Sequence, residues 1–235
     1  MTRQLTMIHL LGNALLLWLA YYWLGVGESR TATLIWSVSV LVALVCFTCL
    51  LHGATWVCFA GADLKSALRS TLRNLLPILV VVCAALALYL LLEQWAAYSE
   101  QPAFRIGSWL TLKVRKPVKP ASVLWVFNAV LWIVEWVIIP VFLLPVAASA
   151  AIRGWRGLRP RAPQARYWIL CPVLLLLALW VPQRLIGWTP YHGAFGLEMA
   201  SFILRIMVAY VLFTAMWLWL ARITATKNSP VHMSA

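Results

Sequence analysis

The stretch LLPILVVVCAALALYLLLEQW, residues 75–95, contains a single charged side chain, Glu93. A helix needs about 20 apolar residues to cross a hydrocarbon core of about 30 Å. This segment alone therefore reads as a membrane-spanning helix. Five further runs satisfy the same test: residues 5–26, 32–52, 121–149, 167–186 and 197–221. The fold class that follows is all-α, a polytopic membrane protein built as a bundle of six transmembrane helices.

The rest of the 235-residue chain agrees. It is 64% apolar and 11% charged, whereas a soluble domain carries about 25% charged residues. The loops reach only about 25 residues, too few for a soluble unit with its own core, which rarely forms below about 40 residues. The whole chain, 1–235, is thus expected to be one integral membrane domain.

The formal charge is +13. In a soluble protein this would suggest nucleic acid, but in a membrane protein basic residues gather in cytoplasmic loops beside anionic headgroups. The bilayer, and not nucleic acid, is the expected partner. With the N-terminus inside, eleven Lys and Arg fall on inner segments and seven on outer ones. That count favours both termini in the cytoplasm, as for a bacterial inner-membrane protein. Five of the outer residues crowd into one loop, so the bias is modest.

Before the third span, Lys65, Arg69 and Arg73 repeat every fourth residue, and Leu64, Leu68 and Leu72 repeat beside them. This spacing predicts an amphipathic helix lying in the membrane interface, leucines in lipid and cations among headgroups. After the third span, Leu110, Leu112 and Val114 alternate with polar residues. That is a strand period, and it predicts a short extended piece at 109–120. Pro140 and Pro145 lie within the fourth span and predict a bend.

Two charges fall well inside the predicted spans rather than near their ends, Glu135 and Arg205. Ionisable residues at membrane depth are costly and usually paired or functional. Asn128 and Glu135 are placed on one side of their helix, with Trp125, Trp132 and Trp136 beside them. The candidate ligand-binding set is therefore Glu135, Arg205, Asn128 and Trp132. A buried ion pair that fixes packing is the plainer alternative.

Cys46, Cys49 and His52 lie near one helical stripe and are weak metal-ligand candidates, because ligands from one straight helix diverge and a closed site wants four. His9 and His52 could bracket a haem only if they oppose each other at equal depth. His192 could serve as a lone acid or base. No GxSxG, HExxH, P-loop or GxGxxG motif occurs, and Asp63 is the only aspartate, so no enzyme class is indicated and no cofactor is expected.

Three functions remain. The first is a non-enzymatic membrane protein that binds a protein partner, or a further copy of itself, or organises a membrane complex. The second is a small transporter or channel using Glu135 and Arg205. The third is a haem- or metal-binding redox subunit.

Overall fold

The structure, a computed structural model, describes residues 2–27, 29–159, 163–188 and 195–225. Among them no strand occurs, and six helices are long and apolar enough to cross a membrane. The architecture is an all-α polytopic bundle.

Helices α1 (Thr2–Leu24) and α2 (Thr31–Phe59) form the first hairpin. Near the turn the Trp23 indole N–H donates to the Ser37 hydroxyl, and that of Trp36 to the Tyr22 hydroxyl, both at 3.0 Å. Such amphipathic rings suit the membrane–water boundary. α2 continues past residue 52, where the apolar run ends, because its last turns pack rather than exit. Residues 53–58 are all buried against α3, α4, α7 and α9.

Helix α3 (Leu64–Arg73) is the short amphipathic element expected from the four-residue repeats. Asp63 caps it, accepting the Ser66 N–H at 3.2 Å. Bonds from Ser66 hold the Asp63 carboxyl below the usual carboxylate range. Ala67 and Thr71 face the bundle and are fully buried. Leu64, Leu68 and Leu72 are exposed, and the cations follow round the helix. One helix thus has a buried face, an exposed apolar face and an exposed basic face in sequence.

This arrangement carries a prediction. Each cation near an anionic surface contributes about 1 kcal/mol of attraction. Replacing Lys65, Arg69 and Arg73 together by Gln is expected to speed amide exchange across α3 in phosphatidylglycerol nanodiscs but not in phosphatidylcholine nanodiscs. Identical exchange in both lipids would contradict the interfacial placement.

Helix α4 (Leu75–Ala97) is the quoted stretch and leads directly into α5 (Glu100–Val114). Here the expectation of an extended piece fails, because the region up to Val114 is helical. The strand-like alternation covers few residues, and a lone strand would leave a row of unpaired amides beside the bilayer. A helix satisfies them internally. It ends at Arg115, in the left-handed region (φ 55°), just before Pro117. The Val118 N–H then donates to the Thr111 hydroxyl at 3.0 Å, folding the chain back onto α5.

The fourth span is a continuous rod of three pieces: α6 (Pro120–Ile133), a π-helical turn (Val134–Ile138) and α7 (Ile139–Arg153). At about 1.5 Å per residue it is about 50 Å long, well beyond the hydrocarbon thickness. α8 (Ala165–Gly187) and α9 (Phe195–Ala225) complete the bundle.

Burial is uneven along the spans. α1 buries Leu5, His9 and Asn13, all in its first half. α4 buries Pro77, Ile78 and Val81, and α7 buries Val141, Pro145 and residues 148–151. α9 buries residues mainly after Thr214, while α6 buries none. The tight core lies at the end of the bundle that carries α3. Small residues dominate there: Ala67, Ala148, Ala150, Ala151, Ala221 and Ala225 are essentially inaccessible. Small side chains let backbones approach, which is how helices pack without a hydrophobic driving force.

Candidate functional site

Span four was expected to carry the chemistry, and its prolines explain most of its polar geometry. A proline has no N–H, so the carbonyl it would have bonded is orphaned. In the π turn the bonds run from residue i to i−5, as the Ile139 N–H to the Val134 carbonyl shows. Pro140 therefore frees the carbonyl of Glu135. The Tyr89 hydroxyl of α4 donates to that oxygen at 3.1 Å. Past the π turn the bonds return to i−4, so Pro145 frees the carbonyl of Val141. The Tyr167 hydroxyl of α8 donates to it at 2.7 Å, in a fully buried setting. Two prolines on one rod are matched by two tyrosines from two different neighbours.

The Glu135 side chain itself is half-buried on the π turn. Arg205 is occupied elsewhere. Its guanidinium donates to the carbonyls of Leu185 at 3.2 Å and Ile186 at 3.5 Å, while its Nε donates to the Ser201 carbonyl. It also lies over the rings of Trp188 and Phe202, at 5.4 and 5.8 Å from their centroids. The last carbonyls of a helix lack partners and carry the negative end of its dipole. Arg205 is thus the cap of α8, supplied by α9. Among the described residues Glu135 and Arg205 are not joined in an ion pair.

Asn128 is exposed on α6, Trp125 one turn before it is 71% exposed, and Trp132 is half-buried. Trp132 lines a cleft of about 1110 Å³ between α6 and α8, together with Trp180, Arg184 and Trp188. The sequence reading placed no weight on Trp180 or Arg184. Their spacing at i and i+4 on span five, near its end, is the signal that could have found them. Arg184 lies over the Trp180 ring at 5.3 Å.

A second polar group lies among α1, α2 and α9, in the packed half of the bundle. His9 Nε2 and the Thr55 hydroxyl are 2.6 Å apart. Thr55 spends its hydrogen on the Leu51 carbonyl at 2.7 Å, so His9 Nε2–H is the donor and Thr55 accepts. His9 Nδ1 is then the acceptor for the Asn13 amide at 3.4 Å. The His52 ring lies 5.4 Å from the His9 ring and 4.9 Å from the Trp217 indole, centroid to centroid. The Tyr210 hydroxyl donates to the Leu10 carbonyl and ties α9 to α1.

This geometry does not fit a haem. Both nitrogens of His9 are used within the protein, and its ring sits against that of His52 with no room for iron between them. Cys49 is buried and Cys46 half-buried, and among the described residues no three His, Cys, Asp or Glu side chains come together as a metal group. His192 lies outside the described residues.

Lys65, Arg69 and Arg73 gather with Arg153 and Arg156 at the α3 end. The Asn74 amide, at the α3–α4 junction, donates to the Ala151 carbonyl at 2.9 Å and joins the two basic segments. A search of family models, of curated proteins and of solved structures finds no match to this chain.

Proposed function

We propose that this chain is a non-enzymatic integral membrane protein that binds another transmembrane helix through α6, the half of its fourth span farthest from α3. The observation that carries this reading is Asn128. It is an exposed amide in the middle of an apolar helix that buries no side chain of its own. A carboxamide facing lipid leaves its hydrogen bonds unmade, whereas a polar group on a facing helix would supply them. The exposed rings of Trp125 on the same helix and of Trp136 on the π turn that follows it offer large, rigid contact area. The partner helix belongs to a second copy of the chain or to another membrane protein.

The location we propose is a bacterial inner membrane, with the α3 end and both termini in the cytoplasm. The support is the cluster of basic side chains at that end, in keeping with the positive-inside bias.

The test is cross-linking in native membranes with Asn128→Cys in a chain whose own five cysteines are replaced by Ala. A homodimer or a discrete larger adduct is expected, and none from a Cys at exposed Leu90 of α4. A chain that stays monomeric at Asn128→Cys would sink the proposal.

A second reading has one observation in its favour. π turns inside α-helices are frequent at functional sites, and Glu135 sits on one. A transporter using Glu135 would lose proton-coupled flux in proteoliposomes on Glu135→Gln while keeping its fold.

A further inference from the structure

We propose that the cleft between α6 and α8 holds one anionic phospholipid, with an acyl chain between the helices and its phosphate at Arg184. The walls are apolar and aromatic along their length: Trp132 and Ile133 from α6, Leu176 and Trp180 from α8. Their helices are membrane spans, so the occupant is drawn from the bilayer. The volume of about 1110 Å³ is that of a site for a whole small amphiphile rather than for a water or an ion.

Charge selects among the lipids. Arg184 and Gln183 line the cleft in the last turn of α8, the level at which headgroups lie, and among the described residues no acidic side chain lines it. The end of a helix would ordinarily repel an anion and claim a nearby cation for its carbonyls. Here Arg205 has taken that role on Leu185 and Ile186. Arg184 makes a cation–π contact with Trp180, and a guanidinium held over a ring still has N–H donors for a phosphate. A guanidinium edge matches phosphate oxygens in a bidentate fork. Trp188 also lines the cleft, with the Arg205 guanidinium over its ring.

The test is native mass spectrometry of the full chain, released from detergent micelles after addition of palmitoyl-oleoyl phosphatidylglycerol or the matched phosphatidylcholine. The α3 cations also attract anionic lipid, so the reading is taken from variants rather than from the wild type alone. Wild type is expected to retain one phosphatidylglycerol in preference to phosphatidylcholine. Arg184→Gln is expected to lower that retention about tenfold, the loss of one charge-assisted bond pair. Arg184 is exposed, so this substitution removes its charge and its ring contact with Trp180 but no buried packing. Ile133→Trp fills the cleft and is expected to lower retention of both lipids, whereas Lys113→Gln on α5 changes neither. Equal retention by wild type and Arg184→Gln would overturn the proposal. So would cross-linking of Ile133→Cys to another protein in native membranes, since the cleft would then belong to a helix and not to a lipid.

Discussion

Gly157→Ala is expected to leave little folded protein. A Cβ at this position would stand 2.1 Å from the carbonyl oxygen of Ser149 and 2.6 Å from the Ala150 nitrogen. Both are backbone atoms of the last turns of α7, where Ala148, Ser149, Ala150 and Ala151 have no exposed surface. Nothing at the end of a flexible side chain can swing aside. The chain enters this contact through Gly154, at φ 62° and ψ −138°, a conformation essentially restricted to glycine. The 3-10 turn Gly154–Leu158 is therefore held at Gly157 against the last turns of α7 and at Gly154 against the Asn74 side chain. Overpacking a well-filled core costs about 1–3 kcal/mol and more where the backbone itself must shift. The whole net stability of a domain is about 5–15 kcal/mol, so one methyl group here is a large fraction of it. The measurement is the yield of monodisperse protein in detergent and its melting temperature. Gly27→Ala, which meets nothing within 4 Å, serves as the control. A Gly157→Ala chain that melts with wild type would refute the close approach.

Tyr167→Phe is the second large effect, and it comes with its own rescue. The residue is 1% exposed and its hydroxyl is the partner of the Val141 carbonyl. Phenylalanine keeps the ring and its contacts with Trp168 but removes the donor. An acceptor left buried and unsatisfied costs about 1–3 kcal/mol. If the carbonyl is free because Pro145 lacks an N–H, then Pro145→Ala should restore the missing bond within α7. The double variant Tyr167→Phe/Pro145→Ala is expected to recover most of the loss, giving a coupling energy that two independent sites would not show. Additive losses in the two changes would separate the tyrosine from the proline. Tyr89→Phe should follow the same pattern with Pro140 at smaller amplitude, because that bond is only partly buried.

These pairings bear on what the residues could disclose before folding. Six spans and α3 were legible because their causes are local and additive: length, apolar content and a four-residue repeat. The 110–115 alternation misled because a strand needs a neighbour, and no sequence window shows whether one exists. Glu135 and Arg205 stood out for their cost in hydrocarbon, and that reasoning was sound about expense but silent about partners. Arg205 answers to two carbonyls on α8, twenty residues away in the chain. Nothing local singles out Tyr89 and Tyr167 among the aromatics of the apolar spans, although each proline on span four leaves a carbonyl without its helical partner. Asn128 and Glu135 looked like one face at a spacing of seven. The π turn that holds Glu135 admits an extra residue into the rod, so the helical phase on its two sides differs. His9 and Thr55 meet across two helices because both spans keep their packed halves at the same end.

That uneven packing has a mechanical meaning. A bundle cemented by alanine and glycine at one end and loosely joined at the other has a stiff base and a compliant mouth. Its cross-section is fixed by close backbone contact at the α3 end, whereas at the other end it depends on whatever surrounds the helices. Lateral tension, curvature or a change in bilayer thickness therefore does its work on the mouth first. The rod of span four, about 50 Å long and continuous through the π turn, joins that mouth to the base.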